Sequence, residues 1–186
     1  MPKPILGIIG GGQLGSLLVD AAKKLEIKTI IFCDDKDAPA QKFSNEFIFG
    51  DYNDSIKIKE FIDKVDIITF EFENIPYETL NEINKIKKVL PKPSVNRIIQ
   101  HRLAEKDFIN KLNIRTTQYV SIEKKSQILA VQNLLPGLLK TTTLGYDGKG
   151  QYPINAVEDL DNLNIDFNKG YILEKLVKLK KEISII

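Results

Sequence analysis

The chain has 186 residues, enough for one large domain or two small ones, and a hydrophobic content of 42% allows a substantial buried core. Its 27 basic and 25 acidic residues leave a formal charge of +2, and the lysines are scattered among acidic residues, so a dedicated nucleic-acid-binding protein with a basic face is not expected. A single cysteine and a single histidine exclude an internal disulfide and a metal cluster of those residues, and the lack of a long apolar run or a signal peptide predicts a soluble cytoplasmic protein without a membrane partner.

Short apolar runs alternate with helical patterns through the first half of the chain. The runs at residues 5–9, 29–33, 47–49, 67–70 and 89–90 are predicted as strands. Apolar spacings of three and four predict helices between them, the first with an apolar face formed by Leu14, Leu17, Leu18, Ala21, Ala22 and Leu25. Continuous apolar strands that alternate with helices are typical of an α/β fold with a parallel sheet covered on both faces.

The segment 91-PKP-93 can continue neither a helix nor a central strand, so it is the predicted boundary between domains at residues 1–92 and 93–186. The second region is predicted to contain helices at 97–112, 124–135 and 157–163, and strands at 118–122, 137–141, 151–154, 171–173 and 183–186. This order indicates an α+β domain with hairpin-like links. Because the chain ends on the apolar residues ISII, we expect an N-terminal fragment whose second domain is incomplete.

The first motif is a glycine turn, 7-GIIGGGQLG-15, which follows a predicted strand and opens a predicted helix. Gly10, Gly12 and Gly15 fit the pattern G-x-G-x-x-G, and such a turn lets an anion approach the free N–H groups at the start of a helix. Asp34 closes the second strand, as a dinucleotide fingerprint requires. An NAD-dependent oxidoreductase, another phosphate ligand and a plain tight turn are all compatible with this motif.

The second motif, 70-FEFENIP-76, places Glu71, Glu73 and Asn74 at the carboxyl end of a predicted buried strand. Open α/β sheets bind ligands at that edge, and two carboxylates there would suit a polar substrate that carries an amine. A strand end that simply reaches solvent would look the same.

The third motif is the loop 141-TTTLGYDGKGQ-151, which follows a strand ending in Lys140. Lys140 and Lys149 are point charges suited to phosphate oxygens, and Gly145, Gly148 and Gly150 would let the loop approach a nucleotide closely. An exposed hairpin is the alternative, since Asp-Gly is a common turn dipeptide.

The fourth motif, 172-ILEKLV-177, is a strand end that could offer side chain and backbone to the edge of a heterocycle, but it is weak alone, as is the charge of Glu182.

Together these segments resemble the ATP-grasp superfamily, and most closely the family of 5-(carboxyamino)imidazole ribonucleotide synthases. The resemblance is carried by GGGQLG at 10–15, FEFENIP at 70–76, Arg102 with Glu-Lys at 105–106, LKTTTLGYDGKGQ at 139–151 and the segment 172–186. It implies a Rossmann-like, parallel-sheet pre-ATP-grasp domain followed by an incomplete α+β ATP-grasp domain. Thr142 and Thr143 depart from the family, which often carries arginines there.

The resemblance also implies a reaction, the carboxylation of the amine of 5-aminoimidazole ribonucleotide with bicarbonate and ATP in purine biosynthesis, which releases ADP and phosphate. ATP and Mg²⁺ are the implied cofactors, with the magnesium ligands expected beyond residue 186. We therefore expect no catalytic residue and no metal ligand in this fragment, no activity from it alone, and a homodimer at full length.

Individual residues are assigned by the same resemblance. The implied substrate contacts are Gly12, Gln13, Leu14, Glu73, Asn74, Tyr146 and Asp147. The implied ATP contacts are Lys106 and Lys140 for phosphates, Gly145, Gly148, Lys149, Gly150 and Gln151 in the loop, Glu174, Lys175 and Val177 for adenine, and Glu182 for ribose.

Three other functions compete with this interpretation. Another ATP-grasp ligase, of the glycinamide ribonucleotide transformylase type, would share the lysines, but EFENIP argues against it. An NAD-binding oxidoreductase would explain the glycine turn and Asp34 but not GYDGKGQ. A folded binding module without turnover is the third alternative.

Overall fold

The chain divides into two units, unit 1 (Met1–Ile99) and unit 2 (Gln100–Ile186). The computed structural model describes residues 3–145 and 149–184. The predicted site residues Tyr146, Asp147 and Gly148 therefore lie outside the described residues. Within the described ranges, no helix combines the length and the apolar character needed to cross a membrane.

Unit 1 is an α/β layer structure, as predicted. Its strands are β1 (Leu6–Ile9), β2 (Thr29–Cys33), β3 (Glu46–Phe49) and β4 (Ile67–Phe70), and its helices are α1 (Gln13–Lys24), α2 (Ser55–Lys64), α3 (Tyr77–Ile86) and α4 (Pro93–Ile99), with a 3₁₀ turn at Pro39–Lys42. The strands pair in parallel in the order β3-β2-β1-β4. Ile9, Phe32 and Phe70 are in register, so the segments that follow β1, β2 and β4 meet at one edge of the sheet.

The two faces of this sheet are buried separately. Alternate side chains contribute to different clusters, with Ile8 and Ile31 packing with α1, and Ile9 and Phe32 packing with α2 and α3. This arrangement follows from the period of two in a strand, and it is why the strands read as continuous apolar runs.

The buried face of α1 differs from the predicted one. The helix buries Gly15, Val19 and Ala22, whereas the leucines of the predicted face are exposed, with Leu14 at 59% and Leu17 at 60%. The prediction is correct for Ala22 and wrong for Ala21 and the leucines, because the positions of α1 that contact the sheet carry smaller side chains.

Other differences concern the ends of elements. Residues 89–90 form no strand beyond a single parallel bridge between Ile68 and Val89. The helix predicted over 97–112 is two helices, because the chain turns at Gln100 and His101 before α5 (Arg102–Lys111) begins. The turn is stabilised by the His101 ring, whose Nδ1 accepts a hydrogen bond from the Ala104 N–H at 3.4 Å. Helix α4, which the predicted boundary assigns to the second domain, belongs to unit 1.

Unit 2 is α+β and antiparallel, as predicted. After α5 it contains β5 (Tyr119–Ile122), α6 (Lys125–Ala130), β6 (Gly137–Thr141), β7 (Gln151–Ile154) and β8 (Tyr171–Lys175), with 3₁₀ turns at Gln132–Leu134, Val157–Asp161 and Phe167–Lys169. The strand order is β5-β8-β6-β7. One face of the sheet packs in a core with Ile122, Leu139 and Leu173, which leaves the other face for polar side chains. The strand predicted at 183–186 is absent at Ile183 and Ser184, and the last two residues are not among those described.

The environment of the Cys33 thiol gives a direct test of unit 1. The residue is 4% exposed at the end of β2, and the Tyr52 hydroxyl donates a hydrogen bond to its Sγ at 3.7 Å. Burial raises the pKa of the Cys33 thiol, so less of the reactive thiolate is present near neutral pH. We expect alkylation of Cys33 to be slow in the native protein and to become fast on unfolding in urea.

The matched control is Ser126→Cys, which adds an exposed thiol at the start of α6. That variant should show one rapid and one slow alkylation event when followed by mass spectrometry. Equal rates for both thiols in the native protein would contradict the position of Cys33.

Candidate functional sites

The glycine turn of unit 1 is filled by a side chain of the protein itself. Gly10 has a φ of +99°, and the side chain of Glu71 reaches across from the end of β4. Its Oε1 accepts a hydrogen bond from the Gly12 N–H at 2.8 Å. A Cβ atom would lie 2.9 Å from Glu71 Oε1 at position 10 and 3.2 Å from it at position 12, so the glycines make room for this carboxylate.

This contact changes the interpretation of the G-x-G-x-x-G pattern. The N–H groups at the start of a helix attract negative charge, and the Glu71 carboxylate supplies that charge from within the chain. A pyrophosphate at the same place would meet a like charge. Gly15 has a packing role, because a Cβ atom there would lie 3.2 Å from the Gly10 carbonyl oxygen. The side chain of Asp34 lies at the same edge and is exposed.

The predicted substrate residues of unit 1 lie at the carboxyl edge of the parallel sheet. Gln13 and Leu14 are exposed in the first turn of α1, and Glu73 and Asn74 follow β4. The segment between Glu71 and Ile75 is held at both ends. Glu71 binds the glycine turn, and the Ile75 carbonyl accepts a hydrogen bond from Asn96 Nδ2 at 3.1 Å.

Asn96 was not identified from the sequence. It is fully buried in α4, and Asn96 Oδ1 has no hydrogen-bond partner among the described residues. A polar residue in a short helix is normally predicted to be exposed, so the local sequence gives no sign that Asn96 is buried.

In unit 2 the structure brings together three of the predicted ATP residues. Lys106 Nζ lies 3.2 Å from Glu174 Oε1, and Lys140 Nζ lies 3.0 Å from Glu174 Oε2. Glu174 is 8% exposed. The contact follows from sheet register, since Glu174 pairs with Leu138 and Lys140 lies two residues further along β6 on the same face.

The surroundings of this cluster are also ordered by hydrogen bonds. Lys106 comes from α5 and lies over the Tyr119 ring, 5.5 Å from its centroid. The Tyr119 hydroxyl donates to Asp107 Oδ1 at 2.7 Å, and this bond raises the pKa of Tyr119. Tyr119 therefore stays neutral, and the three charges of Lys106, Lys140 and Glu174 leave a net positive patch that suits phosphate oxygens.

Arg102 binds the first arm of the glycine-rich loop. The guanidinium donates from Nη1 to the Thr141 carbonyl at 2.7 Å and from Nη2 to the Gly145 carbonyl. The Thr141 N–H donates to the Gly150 carbonyl at 2.9 Å, and Gly150 has a φ of +68°. The hairpin interpretation is thus correct for geometry, because β6 and β7 pair with Lys140 opposite Gln151. Arg102 carried part of the family resemblance, but its contacts with the loop were not predicted.

The predicted adenine segment begins at Glu174, whose carboxylate lies against the two lysines. The Lys175 N–H donates to the Gln118 carbonyl at 2.9 Å, and the Lys175 carbonyl accepts from Thr117 Oγ1 at 2.7 Å. Val177 is 53% exposed, and Glu182 is also exposed. Strand β8 ends at Lys175, and the Leu176 N–H then donates to the Pro136 carbonyl at 2.9 Å, so Val177 lies beyond the last of these backbone hydrogen bonds.

The acidic residues of the described ranges form no group of three or more metal-binding side chains. Glu174, the most buried carboxylate near the lysines, is already paired with two ammonium groups.

Comparison with known families divides the chain in the same order as the fold. The family model of the ribonucleotide synthetase preATP-grasp domain matches residues 3–100, and that of the ATP-grasp domain matches residues 107–186.

Individual relatives agree with these matches. An N5-carboxyaminoimidazole ribonucleotide synthase from Brucella melitensis biotype 1 is 35% identical over 190 residues, which cover 100% of this chain and 52% of the relative. A crystal structure of the ADP complex of an N5-carboxyaminoimidazole ribonucleotide synthetase has 33% identity and a TM-score of 0.89, covering 97% of this chain and 48% of that one. The ADP complex of N5-carboxyaminoimidazole synthetase from Staphylococcus aureus has 30% identity and a TM-score of 0.89, with coverages of 96% and 49%.

The chain spans about half the length of these relatives. The preATP-grasp match extends over more than half of the 186 residues, and the ATP-grasp match follows it. The chain therefore belongs to the ribonucleotide synthetase family that joins a preATP-grasp domain to an ATP-grasp domain, as its resemblance to the carboxyaminoimidazole ribonucleotide synthases indicated.

Proposed function

We propose that the protein takes part in the ATP-dependent carboxylation of the amine of 5-aminoimidazole ribonucleotide in purine biosynthesis. Bicarbonate is the carbon source, and the products are 5-(carboxyamino)imidazole ribonucleotide, ADP and phosphate. The names of the relatives support this reaction. The observation that carries it in the structure is the pair of lysines held by Glu174 beside a glycine-rich loop.

ATP binding is assigned to unit 2. Lys106 and Lys140 are proposed to contact the phosphates, and the backbone near Val177 to contact adenine, with Glu182 near the ribose. The loop residues Gly145, Gly148, Lys149, Gly150 and Gln151 would approach the phosphates, and Lys175 would flank the adenine. Magnesium enters with ATP as its chelate and neutralises phosphate charge when bound. No step is assigned to a metal held by the described residues.

The ribonucleotide is assigned to the edge of unit 1 where Gln13, Leu14, Glu73 and Asn74 lie, with Gly12 in the turn beside them. Tyr146 and Asp147 are proposed to contact the same substrate. Carboxylate and amide groups suit the amine and hydroxyl groups of this ligand. By the same family relationship, we propose a homodimer at full length and a cytoplasmic location, where nucleotides are made and used.

Two alternatives are weaker on specific observations. An NAD-dependent oxidoreductase needs the glycine turn for pyrophosphate, and Glu71 already occupies it. A glycinamide ribonucleotide transformylase would use the same lysines, but the relatives described above are carboxyaminoimidazole ribonucleotide synthases.

The reaction is tested by ADP release from the product of the gene read to its stop codon, beside residues 1–186. ATP, magnesium, bicarbonate and aminoimidazole ribonucleotide are supplied together and then omitted one at a time. We expect ADP release to require the ribonucleotide and bicarbonate. Release that is indifferent to the ribonucleotide would contradict the proposed substrate.

Substitution of Lys140 tests the phosphate assignment. Lys140→Ala removes one charged hydrogen bond to the nucleotide and leaves Glu174 paired with Lys106, so the fold should persist. We expect the Kd for ATP, measured by calorimetry, to rise about 10- to 150-fold. Lys169→Ala, at an exposed lysine of the same unit, is the control and should leave the Kd unchanged. An equal Kd for the Lys140 variant and the parent would disprove the assignment.

The filled glycine turn predicts that the protein does not bind nicotinamide dinucleotides. NADH fluorescence should show no saturable binding at millimolar concentrations, because the Glu71 carboxylate repels a pyrophosphate at the start of α1. A known NAD-dependent dehydrogenase serves as the positive control. Saturable binding of NADH that is lost on Gly12→Val would show that the turn is a dinucleotide site after all.

A further inference from the structure

The carboxylate of Glu174 joins two lysines that come from separate elements of unit 2. Oε1 contacts Lys106 of α5 at 3.2 Å, and Oε2 contacts Lys140 of β6 at 3.0 Å. Each oxygen thus holds one ammonium group, and the separation of the two groups is set by the width of a single carboxylate.

Each of the three charged groups is partly withdrawn from water and is stabilised by the other two. The side chain of Glu174 is 10% exposed, and those of Lys106 and Lys140 are 16% and 21% exposed. A carboxylate withdrawn from water is costly unless it is paired, and two neighbouring ammonium groups repel each other. Together they leave one net positive charge.

The neighbouring charged groups have other partners. The Asp107 carboxylate accepts the Tyr119 hydroxyl, and the Arg102 guanidinium donates to the Thr141 and Gly145 carbonyls. Within the described ranges, no carboxylate other than that of Glu174 lies within ion-pair distance of Lys106 or Lys140.

We propose that Glu174 is a positioning residue for the phosphates of the nucleotide, acting through Lys106 and Lys140, and that its side chain does not bind adenine. This inference rests on the proposed ATP-binding function. The carboxylate presents the two ammonium groups side by side, where they can meet oxygens of neighbouring phosphates. The heterocycle is assigned to the backbone near Val177, because the backbone groups of Lys175 and the Leu176 N–H already have partners within the protein.

A charge argument makes the role testable. With both lysines present, Glu174→Gln leaves the two ammonium groups repelling each other and without a common partner, so ATP affinity should fall about tenfold. In Lys106→Met, the remaining Lys140 is neutralised by Glu174, and ATP affinity should fall further. Adding Glu174→Gln to Lys106→Met frees Lys140 from its ion pair. ATP affinity should then rise about tenfold above that of Lys106→Met alone.

The measurement is the Kd for ATP and for adenosine by calorimetry in these three variants and the parent. Adenosine lacks phosphates, so its Kd should not change in any of them. Glu174→Asp, which keeps the charge, should recover part of the ATP affinity lost in Glu174→Gln. Glu158→Gln makes the same chemical change at an exposed site of unit 2 and should have no effect.

Two results would overturn the proposal. Equal losses of ATP and adenosine affinity in Glu174→Gln would assign the side chain to adenine. An effect of Glu174→Gln that has the same sign and size with and without Lys106 would show that it does not act through the lysines.

Urea unfolding without any ligand separates a failure of the proposed ATP-binding function from a failure of the Glu174 proposal. If the parent protein binds no ATP, the proposed function fails. The ion pairs of Glu174 with Lys106 and Lys140 are then tested by urea unfolding alone. Lys106→Met with Lys140→Met should then destabilise the protein, because the Glu174 carboxylate loses both partners, and Glu174→Gln should restore stability. If Glu174→Gln does not restore stability, the ion pairs of Glu174 with the two lysines are disproved as well.

Discussion

A carboxylate drawn away from water must be matched by hydrogen-bond donors or positive charge, and each unit of this chain is organised around one such match. In unit 1 the Glu71 carboxylate accepts the Gly12 N–H at the start of α1. In unit 2 the Glu174 carboxylate holds Lys106 and Lys140. The first match closes a site that the sequence pattern offers to a dinucleotide. The second assembles a positive patch from residues far apart in the chain.

The backbone elements were largely predictable because strands buried on both faces are continuous apolar runs. The structure has strands at Ile67–Phe70, Gly137–Thr141 and Gln151–Ile154, the ranges that the sequence predicts. The buried face of α1 was not predictable from apolar spacing. Its exposed leucines mimic a core face, while contact with the sheet is made by Gly15, Val19 and Ala22.

In the candidate sites, short motifs identify individual residues, but contacts between residues far apart in the chain depend on the fold. The family motifs name Lys106, Lys140 and Glu174 one by one, but their contact depends on the pairing of β6 with β8 and on the position of α5. The sequence identifies Glu71 only as an acidic residue at a strand end. Its place in the glycine turn follows from the pairing of β1 with β4, which no short motif encodes.

The most direct test of the two carboxylate contacts and of the proposed ATP site is a crystal structure of the protein with ADP. We expect the nucleotide phosphates to lie against the Nζ atoms of Lys106 and Lys140, adenine to lie at the backbone near Val177, and the Glu71 carboxylate to remain on the Gly12 N–H. A nucleotide bound at the Gly10–Gly15 turn, with Glu71 displaced, would contradict this expectation.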